Sequence, residues 1–145
     1  MESDCRAEIE DLHRFFQEWF AGSLPVEGDS FSRLATVLAP EFGMISPQGV
    51  LMDRRIVLQS LRAAHGTSRA PGKPTRIWVT KIRVHNLGEG LALATYEEWQ
   101  RIDGQDKGRL SSALFRERAE TPHGVEWVHL HEVWLPAETQ PAPQS

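Results

Sequence analysis

Cysteine is nearly absent from this chain: Cys5 is the single one in 145 residues, which excludes an intrachain disulfide and any cysteine-clustered zinc or iron–sulfur centre. Long apolar runs are missing too. No stretch approaches the roughly 18 consecutive apolar residues of a membrane span, and the opening Met1-Glu2-Ser3-Asp4 is acidic and leads into no apolar segment of the kind a signal peptide needs. Nor is there a surplus of positive charge. Sixteen Lys and Arg against 20 Asp and Glu leave a net charge of −4, so the chain lacks the cationic field that drives nucleic-acid binding through phosphate neutralisation. These absences predict a cytoplasmic protein with neither nucleic acid nor membrane as partner, and nothing in the pattern calls for a cofactor. What is present is ordinary globular material, 40% hydrophobic and 25% charged. At this length a chain buries roughly 68–70% of the surface its unfolded form exposes, enough for one domain with a real core.

The first third reads as helix. Ile9, Leu12, His13, Phe16, Trp19 and Phe20 fall on one stripe of a 3.6-residue period. Ser3 or Asp4 is the expected cap, and Gly22 and Pro25 the stop. A second helix is expected from a cap at Asp29 or Ser30, with Phe31, Leu34, Ala35 and Leu38 on one face and Pro40 closing it. The period then changes. Phe42 to Ile45 and Val50 to Met52 flank Ser46-Pro47-Gln48-Gly49, a type I turn signal, and so predict a small hairpin. Asp53 caps a third helix carrying Val57, Leu58, Leu61 and Ala64, ended at His65-Gly66. After the polar loop from Thr67 to Pro74, the chain alternates. Strands are predicted over Thr75–Asn86, Leu91–Ile102, Arg109–Arg118 and Val125–Leu135, joined by turns at Gly88-Glu89-Gly90, Asp103-Gly104 and Pro122-His123-Gly124 and paired antiparallel. The first of these places Trp78, Thr80, Ile82 and Val84 on one side. The domain is expected to span residues 1–136, followed by a tail over 137–145 whose Pro-rich polar composition is that of a disordered end.

Strict alternation in the last strand puts Val125, Trp127, His129, His131, Val133 and Leu135 on one face and Val128, Leu130, Glu132 and Trp134 on the other. Both faces are substantially apolar, whereas an antiparallel sheet covered on one side alone shows one polar face. The helices cover one face. A second copy of the same sheet is the economical cover for the other, so a homodimer through the sheet face is expected.

Helix, helix, hairpin, helix and then a four-stranded antiparallel run resembles the nuclear-transport-factor-2-like superfamily, and within it the SnoaL-like domains. The resemblance is carried by Gly28-Asp29, Leu38-Ala39-Pro40-Glu41-Phe42, Ser46-Pro47-Gln48-Gly49, Thr95-Tyr96-Glu97-Glu98-Trp99 and Trp127-Val128-His129-Leu130-His131-Glu132, over about Glu8 to Leu135. It implies an α+β fold, a cone-shaped curved antiparallel sheet wrapped around N-terminal helices (a cystatin-like α+β roll), with a ligand pocket at the open end and a dimer on the outer face. The scaffold hosts isomerases, cyclases, dehydratases and assembly domains, so it does not select a reaction. Where ketosteroid isomerases of this fold carry a general-base aspartate before a proline, this chain has Ser46 before Pro47. A serine hydroxyl shuttles no proton at neutral pH without an activator.

Glu98 and Glu132 are the leading candidates for chemistry. Each sits mid-strand among hydrophobic neighbours, and resemblance to the calmodulin-dependent kinase association domain turns Glu132 inward. Two carboxylates in an apolar cavity push their pKa values apart and form an acid/base pair, with Tyr96, the only tyrosine, as a hydrogen-bond donor beside them. The plainer alternative is that each carboxylate bridges Arg116 or Arg109 across strands. Trp134, Trp78, Leu130 and Phe16 are the expected ligand-binding walls for a small apolar molecule, with Trp127 and Trp99 on the interface side. His129 and His131 form a His-x-His pair but lack a third ligand, so no metal is expected. Ser111 and Ser112 have no His–Asp partner in view, and Cys5 sits in no electropositive setting. The resulting expectation is a homodimeric small-molecule-binding domain; an alternative is a cofactor-independent acid/base enzyme acting through Glu98, Glu132 and Tyr96.

Overall fold

A computed structural model describes residues 1–142. The chain begins with helix α1 (Glu2–Ala21), followed by α2 (Ser32–Val37), strands β1 (Leu38–Ile45) and β2 (Leu51–Asp53), α3 (Arg54–Ala63), and then β3 (Pro74–Gly88), β4 (Leu91–Ile102), β5 (Gln105–Glu117) and β6 (Val125–Trp134). All six strands join one curved sheet in the order β2-β1-β6-β5-β4-β3. Its pairings are antiparallel except for β1 against β6, which is parallel. The parallel pair was not expected from the sequence: it arises because the chain crosses from the hairpin, through α3 and three strands, before β6 returns beside β1.

α1 lies in the hollow of the sheet. Its buried stripe of Cys5, Ile9, Leu12, Phe15 and Trp19 packs with Tyr96, Phe115 and Trp127 from the inner face of β4, β5 and β6. Its N-cap is Met1 with no side-chain hydrogen bond, so neither Ser3 nor Asp4 caps it; the two instead stand inside the first turn. Gly22 ends it in the left-handed region at φ 76°, with the N–H groups of Gly22 and Ser23 bonded back to Trp19 and Glu18. The end of α3 docks there, Gly66 N–H donating to the Trp19 carbonyl at 3.0 Å. α2 is shorter than its apolar pattern predicts. Leu38 has already entered β1, and Pro40 sits inside that strand rather than closing a helix. The hairpin turn is as expected, with Gly49 N–H donating to the Ser46 carbonyl at 2.9 Å, and Asp53 caps α3 by accepting from Ile56 N–H at 2.9 Å.

Glu8 fastens the back of the hollow. Fully buried on α1, it receives a two-pronged bond from Arg33 at 3.0 Å in each branch, and the Trp127 indole N–H at 2.9 Å. A carboxylate at this depth is tolerated because a planar guanidinium matches both of its oxygens.

Two irregularities decide which side chains face inward. Register shifts between Thr80 and Arg83 in β3, where Lys81 has φ 56°. Ile77 and Val79 face in before the shift and Val84 after it, which leaves Trp78 and Thr80 on the outer side. A second shift lies between Leu114 and Phe115, opposite His129 and Trp127. Trp127 therefore joins Leu130, Glu132 and Trp134 on the inner face, not the histidines as strict alternation has it. His129 and His131 stay outside. An extra residue in one strand does this because side chains alternate with period two. Trp99 is on the outer face yet only 1% exposed. Of the tail expected over 137–145, residues 137–142 follow β6 with a turn in which Thr139 N–H bonds Pro136, and 143–145 lie outside the described residues.

Trp99 is covered because Gly108 leaves it room. A Cβ at Gly108 would stand 2.8 Å from the Trp99 ring and from Leu135 Cδ1. Gly108→Ala is therefore expected to cost about 1–3 kcal/mol, read as a lower urea midpoint, whereas Gly104→Ala, with open space around it but a positive φ, tests backbone strain alone.

Candidate functional site

Between α1, α3 and the inner face of the sheet lies a cavity of about 600 Å³. Its walls are apolar: Phe16 and Phe20 from α1, Leu34 and Leu38 from around α2, Phe42 and Met44 from β1, and Leu61 from α3, with Leu130 on β6 opposite. A polar cluster is set into this lining. Tyr96, Glu98 and Gln100 come from alternate positions of β4, Arg109 from β5, Glu132 from β6, and His13 from α1.

His13 is the pivot of that cluster. Nδ1 lies 2.7 Å from the Ile9 carbonyl, which only accepts, so Nδ1 carries a proton; Nε2 lies 2.9 Å from Glu98 Oε1. Burial works against a charged imidazole, but the hydrogen bond and charge of Glu98 overrule it and raise the ring's pKa above its ordinary 6.5. Both ring nitrogens then donate, and the pair is imidazolium against carboxylate. Glu98 shows the converse. Burial alone would raise it, yet the hydrogen bond and charge of His13, then the charge of Arg109, hold it at about 2. Its second oxygen accepts from Gln100 Nε2 at 2.7 Å.

Glu132 is held differently. Burial and the negative charge of Glu98 raise its carboxyl to about 7, with Arg109 and His13 pulling the other way. It accepts from Arg109 at 2.8 Å and from the Ser111 hydroxyl at 3.3 Å. Two neighbouring carboxyl groups thus sit far apart in acidity, one ionised throughout the neutral range and one poised near neutrality. Tyr96 is pushed well above its ordinary 10 by burial and by the charges of Glu132 and Glu98, opposed by a hydrogen bond with Ser111, so its phenol keeps its proton.

The structure brings together Glu98, Glu132, Tyr96, Phe16, Leu130 and Trp134 around this one cavity. Trp78 is placed elsewhere. It stacks on Trp99 with ring centroids 6.5 Å apart, carries the Arg76 guanidinium on its face, and borders a separate groove between α1 and β3. Trp127, assigned to the interface side, lines the cavity instead. Arg116 does not reach either cavity carboxylate; it pairs with Glu41 and Glu126. Ser46 is outside the cavity, its hydroxyl accepting from Val50 N–H at 3.2 Å within the hairpin. Two polar members went unassigned from the sequence, His13, hidden in an apolar helix stripe, and Gln100; Arg109 was expected as a cross-strand partner of the carboxylates and pairs with Glu132 at 2.8 Å. A titratable residue on a buried stripe was the available signal for His13, since such a group needs a partner.

The family model for the sucrose-6-phosphate phosphohydrolase C-terminal domain matches residues 6–136, and the chain belongs to that family. Sucrose-phosphatase 1 from Nicotiana tabacum is 26% identical over 141 residues, covering 92% of this chain and 33% of its own length, so the chain spans about a third of that relative. Among solved structures, an NTF-2-like protein of unknown function from Pseudomonas aeruginosa superposes with TM-score 0.78 at 26% identity, covering 92% of this chain and 99% of that one. The CaMKII hub of S. rosetta superposes at 0.60 with 16% identity, over 90% of this chain and 95% of that one. The fold is nuclear-transport-factor-2-like.

The opposed acidities give the fold a pH dependence with a definite sign. Glu132 holds a proton in the folded chain that the unfolded chain releases above an ordinary 4.5, so stability falls as pH rises from about 4.5 to 7. His13, raised above 6.5, contributes stability that is present below 6.5 and lost as pH climbs through its folded value. Glu98 contributes in the other direction, its stabilisation being lost as pH falls from 4.5 towards about 2. The urea midpoint is expected to be higher near about pH 5 than near about pH 7.5, and Glu132→Gln to remove most of that difference; an unchanged profile in the variant contradicts the assignment.

Proposed function

We propose that this chain is a small-molecule-binding module whose ligand occupies the cavity between α1 and the sheet, and that it works as a homodimer joined through the outer sheet face. The observation that carries the reading is an apolar cavity of about 600 Å³ with polar groups converging on one part of it, within the roughly 300–1,000 Å³ of ligand sites generally. Apolar walls with a few fixed donors and acceptors suit a molecule with a hydrophobic body and one polar group. The names of the plant relatives suggest a phosphorylated sugar as an alternative ligand, but Phe16, Phe20, Leu34, Phe42 and Leu130 offer a sugar's hydroxyls few partners.

Support for the dimer lies outside. Leu110 and Val133 pair across β5 and β6, each 45% exposed, with Leu93 at 36% on the same outer face and small polar Thr95 and Ser112 between. Several apolar side chains left open on the outer sheet face are what a second copy would cover. Hub domains share this fold, which fits an oligomer. Within the described residues no helix is long and apolar enough to cross a membrane, and the buried free thiol of Cys5 suits a reducing cytoplasm.

One observation favours a catalytic version of the same site: Glu132 is poised near neutrality while Glu98 stays charged. In that reading Glu132, as carboxylate, takes a proton from the substrate and returns it at a second position. Tyr96 donates a hydrogen bond to the developing negative charge, and the His13–Glu98 pair holds the surrounding field constant.

Filling the hollow separates binding from a merely structural cavity. Native mass spectrometry of the wild type is expected to show a co-purifying small molecule, and Leu130→Trp to abolish its capture with the fold retained by circular dichroism. Wild-type protein at micromolar concentration should sediment at twice 16.4 kDa, and the double change Leu110→Glu, Val133→Glu at 16.4 kDa. A wild-type monomer sinks the dimer. If the site is catalytic, Glu132→Gln loses turnover by about 10²–10⁴-fold while still binding.

A further inference from the structure

Arg109 is bound less fully than its burial demands. A guanidinium offers five N–H donors, and the side chain is only 21% exposed. One donor goes to Glu132 Oε1 at 2.8 Å; Nε is buried with no hydrogen-bond partner among the described residues and stands 3.9 Å from Glu98 Oε2, beyond bonding distance. Glu98 is drawn to other donors, one oxygen accepting from His13 and the other from Gln100, and Oε2 stands too far from Arg109 Nε to accept from it. The aromatic ring of Trp134, 4.8 Å from the guanidinium carbon, completes one side, and the cavity lies against the same group.

Charge is short as well as hydrogen bonds. Four ionisable groups meet here, with Tyr96 beside them: His13 from α1, Glu98 from β4, Arg109 from β5 and Glu132 from β6; Lys73, Asp103 and Lys107 stand farther out along the cavity lining. The charge of Glu98 is answered by His13 at 2.9 Å. Arg109 is attracted by both carboxyl groups, Glu98 at 3.9 Å and Glu132 at 2.8 Å, but the charge of Glu98 is shared with His13 and the ionised form of Glu132 is disfavoured by burial and by Glu98. Whenever Glu132 is neutral, Arg109 is a half-buried cation without a full counter-ion, facing an apolar hollow.

We propose that Arg109 is the ligand-binding residue of this cavity, and that the cavity takes a carboxylic acid with an apolar body, its head group on the guanidinium and its body against the phenylalanine and leucine walls. The inference rests on the ligand-binding reading above and names the class of ligand. A carboxylate supplies the missing acceptors and a single negative charge. A phosphate monoester brings close to two negative charges beside the carboxyl groups of Glu98 and Glu132, and is the poorer match. The ligand's charge also favours the neutral form of Glu132, so binding is coupled to proton uptake, and affinity falls as pH rises through neutrality.

Titration calorimetry with decanoate, decanol and decyl phosphate tests this on the whole chain. Decanoate is expected to bind at least about tenfold more tightly than decanol at about pH 6, a single charge-assisted bond being sufficient for that ratio. It should take up protons, measured in buffers of different ionisation enthalpy, and weaken up to about tenfold per pH unit above about 7. Arg109→Gln should lose the preference for decanoate and leave decanol unchanged. Glu132→Gln should bind decanoate with a weaker pH dependence than the wild type between about pH 6 and 8, the remainder being that of His13. If Arg109→Gln does not fold, the wild-type comparison and Glu132→Gln decide alone. Equal binding of decanoate and decanol, or preference for decyl phosphate, overturns the carboxylate assignment but leaves the binding cavity standing. If none of the three binds, both fail.

Discussion

Burying charge inside a small hollow is the constraint around which this domain is organised. A lone imidazolium or carboxylate in such a place is costly, and each therefore has its partner at hydrogen-bond distance: His13 with Glu98 at 2.9 Å, and Glu8 with Arg33 at 3.0 Å. Both pairs include a residue of α1, so the helix is tied at two separated points by geometry that apolar packing alone would not impose. That fixes its position over the sheet and leaves the space between α1, α3 and the strands open. Aromatic contacts then complete the closed end, with Phe115 and Trp127 at 4.5 Å and Tyr96 against both His13 and Trp127.

The same constraint grades the acidity of the site. Glu98 is satisfied twice over and stays ionised; Glu132 shares Arg109 with it and is left the weaker claimant. An asymmetry between two neighbouring carboxyl groups is common to binding sites that move protons and to those that only sense them. The apolar walls bound the hollow, and Arg109 stands against it beside the weaker acid.

Membership in the sucrose-6-phosphate phosphohydrolase C-terminal family and a nuclear-transport-factor-2-like fold are compatible descriptions at two levels. The motifs around Ser46-Pro47-Gln48-Gly49 and Trp127–Glu132 led to the fold but did not reach this family. Folds of this kind carry unrelated activities because the cone is general and its inner residues are not. What distinguishes one such domain from another is therefore the set of residues lining its hollow, not the scaffold.

How much was legible in the residues beforehand divides along physical lines. Periodicity located all three helices and the four long strands, because burial of one face imposes a repeat of 3.6 or 2 locally. Glu98, Glu132 and Tyr96 could be picked out as polar groups among apolar neighbours on strands. Facing was another matter. One extra residue at Lys81 and one near Val128 reverse the side to which everything beyond them points, so Trp78 left the cavity and Trp127 entered it. Short α2 gave way to strand at Leu38 because pairing with β6, 89 positions away at Trp127, outweighs local helix preference. His13 could not be matched to Glu98 for the same reason: 85 residues separate them. The amino-acid order by itself determined which segments bury which kind of side chain. Which buried charges meet, and so which of them is left short of a partner, was decided only when bulged strands and a docked helix brought distant residues within bonding distance.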